Sequence, residues 1–152
     1  MAITPNTTFS AGTILTAAQM NRLPWGVMAY ASATANQTGI TTQTDLTGLS
    51  VTFTANSTRI YRTTLYIRYL EQLTATGYSQ LFITDGSNVE KQRGVWRIDT
   101  GYGVQGILTV IESGLSGSVT RKGRGATDAG SMTIQAGSTA PAQIFVEDIG
   151  QA

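Results

Sequence analysis

Hydrophobic and polar positions alternate with a period of two along most of the chain. "VMAYASA" (27–33), "LSVTFTA" (49–55) and "TRIYRTTLYIRYL" (58–70) add β-branched and aromatic residues to that alternation, which predicts half-buried strands. In the third segment Tyr61, Leu65, Ile67 and Tyr69 form an apolar face, and Arg62, Thr64, Tyr66 and Arg68 form the other. "YSQLFIT" and "VEKQRGVWRI" flank "DGSN", a hairpin signal with Asp85 and Gly86 at its tip. "VQGILTVIE" (104–112), one short strand within "GLSGSVTRKGRGATDAGS", then "SMTIQ" and "AQIFVEDI" (142–149) continue the pattern. About eight to ten strands, with no helical period after residue 24 and no internal repeat, predict an all-β fold: a single antiparallel β-sandwich of jelly-roll type.

One segment departs from this pattern. In "AGTILTAAQMNRLPWG" (11–26) Thr16 and Gln19 have the spacing of a capping box, in which the hydroxyl and the amide each satisfy a free backbone donor. Leu15 and Met20 occupy the hydrophobic staple positions, and Pro24 ends the helix because the residue before a proline is pushed out of the helical region. This predicts about seven or eight helical residues, too few to persist alone in water. Leu15, Met20, Leu23 and Trp25 therefore need a surface. That surface is either the end of the chain's own sandwich or another protein, and the division implied is an N-terminal docking arm (1–26) followed by the β-sandwich domain (27–152).

Composition narrows the function classes. The 152 residues are 41% hydrophobic, enough for one domain with a core, but only 12% are charged and the net charge is +1. No bulk field steers the chain toward nucleic acid or acidic lipid. The absence of cysteine removes disulfide and thiolate chemistry. The N-terminus has no basic region and no apolar run reaches the length of a spanning helix, so no signal peptide, membrane anchor or membrane partner is expected, and synthesis is expected in the cytoplasm.

Candidate chemistry is sparse. There is no histidine, the only lysines are Lys91 and Lys122, and the nine carboxylates are scattered. No general acid and base pair, activated nucleophile or metal set emerges, so no catalytic residue, metal or cofactor is expected and the chain is not read as an enzyme. "GYGVQG" (101–106) has the spacing of a dinucleotide fingerprint but no strand before it and no helix after it, and it reads as a turn between strands. "TRKGRG" (120–125) concentrates Arg121, Lys122 and Arg124 among glycines and reads as a loop at a sandwich end, with a surface contact as its functional variant. Tyr66 between Arg62 and Arg68 is either a stacking platform for sugars or part of a subunit interface.

The two ends, "FSAGTILTAAQMNRLPWGVMAYA" and "AQIFVEDIGQA", and the block "TANQTGITTQTDLTGLSVTFTANSTRIYR" resemble small virion structural proteins of tailed phages, especially actinobacterial phages, a group labelled capsid decoration, head fibre or minor tail proteins. The resemblance implies a non-enzymatic homotrimer at the virion surface, with a jelly roll like those of the tumour necrosis factor and complement head group. On that reading Phe9, Leu15, Met20, Leu23 and Trp25 anchor the arm to the major capsid protein or to a tail protein. Arg62, Tyr66 and Arg68 line the trimer interface, and Arg121, Lys122 and Arg124 form a surface contact loop. The alternatives are a minor tail protein touching the host surface and a carbohydrate-binding module, with a host glycan as the ligand.

Overall fold

The alternating segments do pair as strands. A computed structural model describes Ile14 and residues 16–152. Its first sheet contains β1 (Gly26–Ala33), β2 (Gln37–Ile40), β4 (Arg59–Gln72), β7 (Gly103–Ser113), β9 (Met132–Gln135) and β10 (Ala142–Gln151). The second is built from β3 (Thr44–Ala55), β8 (Gly117–Thr127), β5 (Gly77–Asp85) and β6 (Glu90–Ile98), in that spatial order. All pairings are antiparallel.

The first sheet is four columns wide. β10 pairs with residues 59–66 of β4, and β9 continues the same side along residues 69–72. β1 and β2 pair in turn with β10 and β9, and β7 covers the opposite side of β4. The chain passes from one sheet to the other at most connections; β5 and β6 form the hairpin that the Asp85–Gly86 signal predicts. There Asp85 accepts from the Ser87 and Val89 N–H groups, and Asn88 adopts the left-handed region (φ 67°) that an asparagine tolerates in a turn.

Inward side chains of both sheets meet in one core that includes Leu49, Leu65, Ile67, Leu81, Ile83 and Ile144. Three readings change here. The inward face of β4 runs through Tyr61, Thr63, Leu65 and Ile67 and then shifts to Leu70 and Gln72. A bulge between Ile67 and Leu70 causes the shift, so Tyr69 leaves the core face on which alternation had placed it. "TRKGRG" is not a loop: it lies in β8, paired with β3 on one side and β5 on the other. Its glycines are there for packing, since a Cβ at Gly123 would stand 2.8 Å from Leu65 Cδ1 and one at Gly125 2.6 Å from Met132 Cε. "GYGVQG" is divided between the β6–β7 turn, where Gly101 takes φ 78°, and the start of β7.

Among the described residues there is one helical turn, α1 (Ala17–Met20), with the capping box in place: Thr16 N–H donates to Gln19 Oε1 (2.8 Å) and Gln19 N–H to Thr16 Oγ1 (3.2 Å). It is shorter than the seven or eight residues expected. Past Met20 the bonds tighten to the i→i+3 type, from Arg22 N–H to Gln19 O and from Leu23 N–H to Met20 O. The Asn21 and Leu23 carbonyls are taken by Arg59, so acceptors that further helix would use are satisfied by the sheet.

Candidate functional site

The end of the sandwich where the N-terminal segment meets the sheets is closed by ion pairs. In one row across β10, β4 and β7, Asp148, Tyr61 and Glu112 stand side by side. Glu147 and Asp148, adjacent on a strand, face opposite ways: Glu147 outward to Arg62, Asp148 inward to Arg59. Arg59 and Asp148 are both almost inaccessible, at 2% and 1% exposure. Such burial is tolerated only where every polar atom is partnered. Arg59 Nε donates to Asp148 Oδ2 (2.6 Å), its Nη2 also to Leu23 O (2.6 Å), and Nη1 to Asn21 O. Asp148 Oδ1 in turn accepts from the Trp25 and Gly150 N–H groups. The guanidinium stacks on the Trp25 ring at 4.3 Å. A second inward pair, Arg121 with Glu112, is bidentate at 2.7 and 2.8 Å.

The N-terminal segment is thus held by its backbone and by the Trp25 ring on Arg59, while Met20, Leu23 and the outer side of Trp25 stay exposed. Met20, Leu23 and Trp25 are 49%, 37% and 52% exposed. The ion pair fills the sandwich end, and Trp25 lies over it with half of its surface exposed. Phe9 and Leu15, the other two expected anchors, lie outside the described residues.

The outer face of the first sheet gathers more exposed apolar groups. Arg62, Tyr66 and Arg68 all lie on it, as alternation predicts. Around them the register brings Val27 beside Glu147, Tyr30 beside Phe145, Ile107 beside Tyr66 and Ile111 beside Arg62. Val27, Tyr30, Ile107 and Ile111 are each at least half exposed. A patch of this kind across four columns marks an interaction surface more often than isolated exposed residues do. Arg62 is paired to Glu147 at 2.9 Å and the Tyr66 hydroxyl accepts from Gln105 Nε2 at 2.9 Å.

Arg121, Lys122 and Arg124 do not form a common contact surface. Alternation along β8 sends Arg121 inward to Glu112 and the other two outward, where Asp45 takes both, Lys122 Nζ at 3.0 Å and Arg124 Nε at 2.5 Å. Partial burial pushes the Asp45 carboxyl up, but the hydrogen bonds and charges of Lys122 and Arg124 outweigh it and hold the group below its ordinary value. At Asp85 the Val89 N–H, helped by Lys91 and the Ser87 N–H, lowers the value despite some desolvation. A carboxyl whose folded pKa is depressed stabilises the fold above its unfolded pKa, about 3.9 for aspartate, and loses that contribution as pH falls through the folded value. Stability should therefore drop on acidification below about pH 4. Asp45→Asn should be less stable than the parent at neutral pH and converge with it in acid, as urea melts at stepped pH will read; parallel curves would refute the assignment.

The other carboxylates also have partners: Glu90 with Arg93, Asp99 with Arg97, Glu71 with Gln135 Nε2, and Asp128 with the Tyr78 N–H. No group of three or more potential metal ligands occurs among the described residues, and no described helix is long and apolar enough to cross a membrane.

No family model matches the chain, and no curated protein matches it. Two of the solved structures that resemble it distantly are these. One holds the CBM22-1 and GH10 modules of an endo-1,4-beta-D-xylanase of Clostridium thermocellum complexed with xylohexaose: 9% identity, TM-score 0.35, 85% of this chain and 28% of that one. The other is the enzymatically active domain of tailspike protein 4 of bacteriophage CBA120: 9% identity, TM-score 0.28, 84% of this chain and 19% of that one. The chain thus spans less than a third of either, and likeness at this level carries no argument about what it does.

Proposed function

We propose that the chain is a non-enzymatic structural protein of a bacteriophage particle, a homotrimeric capsid decoration or head-fibre protein that docks through its N-terminal segment. The observation that carries this reading is the segment itself: Arg59 and Asp148 fix its backbone, yet Met20, Leu23 and Trp25 remain exposed. Fixing a short apolar segment in advance removes ordering entropy that docking otherwise costs. The outer face of the first sheet, from Val27 and Tyr30 to Ile107 and Ile111, supports self-association. Two antiparallel sheets of four columns, with the chain crossing between them at most connections, support a jelly roll of the tumour necrosis factor and complement head type. The non-enzymatic part is supported by the carboxylates, each committed to a cation or a hydrogen-bond donor.

Purified protein should be trimeric by light scattering and should add back to capsids stripped of it. Met20→Ser with Leu23→Ser should leave trimer and melting temperature unchanged and weaken add-back by about thirtyfold, the loss expected of an interface hot spot. Retained add-back would remove the docking role from the segment. The copy number in purified particles separates shell from tail: hundreds of copies fit decoration, a few fit a minor tail protein.

A further inference from the structure

Three neighbouring columns of the first sheet break at the same level. The first column is interrupted at residues 34–36 between β1 and β2, the second at residues 136–141 between β9 and β10, and β4 bulges between Ile67 and Leu70. With Ile67 and Leu70 both directed into the core, the bulge sets two consecutive residues, Arg68 and Tyr69, outside it. The aligned breaks leave a notch of about 460 Å³ lined by Arg68, Tyr69, Asn36, Gln135 and Thr139.

The Tyr69 ring, the 137–140 turn and Asn36 are each held in place. The Tyr69 ring lies over Gly103: a Cβ there would stand 2.4, 2.5 and 2.8 Å from its Cζ, Cε1 and Cε2 atoms, so the ring rests on bare backbone of β7. Only a glycine permits that approach. Residues 137–140 close a tight turn through reciprocal hydrogen bonds between Gly137 and Ala140, which holds Thr139 at its tip. Asn36 Oδ1 accepts from the Ala136 N–H and pins the turn, leaving the amide donors of Asn36 for a ligand. Arg68 makes no ion pair or hydrogen bond with the described residues, while the nearby Glu71 is engaged by Gln135.

We propose that this notch binds an acidic saccharide, with a pyranose ring stacked on Tyr69 and its carboxylate or phosphate held by Arg68. An aromatic face takes the apolar side of a sugar ring, a guanidinium pairs with a planar carboxylate or a phosphate through charge-assisted hydrogen bonds, and amides and a hydroxyl suit ring hydroxyls. The notch adjoins the apolar patch on the same face, beyond Tyr66 and Ile107. The proposal places Arg68 in the notch rather than in the trimer interface, and the notch lies away from the N-terminal segment, which is bound at the Arg59 end of β4.

The test is a titration of the full chain, followed by amide NMR, with trigalacturonate, mannose 6-phosphate and neutral cellotriose. Saturable shifts around Arg68, Tyr69 and residues 136–140 are expected with at least one anionic probe; trigalacturonate alone assigns a uronate and mannose 6-phosphate alone a phosphate. Arg68→Gln should weaken that binding about tenfold. Gly103→Ala, which displaces the ring without altering a contacting side chain, should weaken it comparably, with Tyr69→Ala as the second variant. Trimer and capsid add-back should be unchanged in all three. Absence of saturable shifts with both anionic probes, equal binding of cellotriose, or unaltered affinity in Arg68→Gln and Tyr69→Ala would overturn the proposal.

Discussion

Arg59→Ala should lower the free energy of unfolding by about 3–5 kcal/mol, a large part of the stability of a domain this size. The side chain is buried among four acceptor contacts: two carboxylate oxygens of Asp148 and the carbonyls of Asn21 and Leu23. Removing it strands a carboxylate that is 1% exposed, and a buried charge without its partner costs more than the pair contributes. Arg59→Lys should cost less, since the charge remains, but a single ammonium cannot reproduce the fork that spans carboxylate and carbonyls. Arg59→Met with Asp148→Leu should recover only part of the loss. It cures the stranded charge but orphans the Asn21 and Leu23 carbonyls and the Trp25 and Gly150 N–H groups. Urea melts give these differences directly, and an Arg59→Ala loss under about 1 kcal/mol would show that this end of the sandwich is open to water.

That ion pair also explains what was legible in the sequence and what was not. Alternation located most of the strands, and the hairpin turn and the Thr16 capping box could be read because each depends on residues within a few positions of one another. Arg59 and Asp148 are 89 residues apart, and neither belongs to a local motif. The sequence therefore left open whether Leu15, Met20, Leu23 and Trp25 cover the end of the sandwich or another protein. The first half of β3 and all of β2 escaped notice because "QTGITTQTDLTG" is too polar and Gly-rich to show a two-residue period. The apolar patch was hidden differently. In "VQGILTVIE" Leu108 and Val110 face the core and Ile107 and Ile111 face out; a run apolar on both faces is the one signal in the sequence that the outer face of β7 carries apolar side chains. The bulge that exposes Tyr69 leaves no mark that alternation alone can detect.

The reassignment of "TRKGRG" from loop to central strand makes the second large prediction. For a loop, alanine at Arg121, Lys122 or Arg124 would have a small and similar effect at each position. In β8 alternation separates them. Arg121 is 3% exposed, its Nε and Nη2 meet both oxygens of Glu112, and its Nη1 donates to the Thr120 carbonyl at 2.8 Å. Arg121→Ala should cost about 2–4 kcal/mol, below the Arg59 loss because the Glu112 side chain retains some contact with water. Lys122→Ala and Arg124→Ala should each cost about 0.5–1 kcal/mol, since both pair with an Asp45 carboxylate that is half exposed. Glu112→Gln should fall between the two groups, because it keeps one acceptor for Arg121 while removing the countercharge. Three matched urea melts decide the matter. Equal losses at the three cations would return the segment to the surface, whereas a separation of about 2 kcal/mol between Arg121 and its neighbours is the signature of alternate residues on a buried strand.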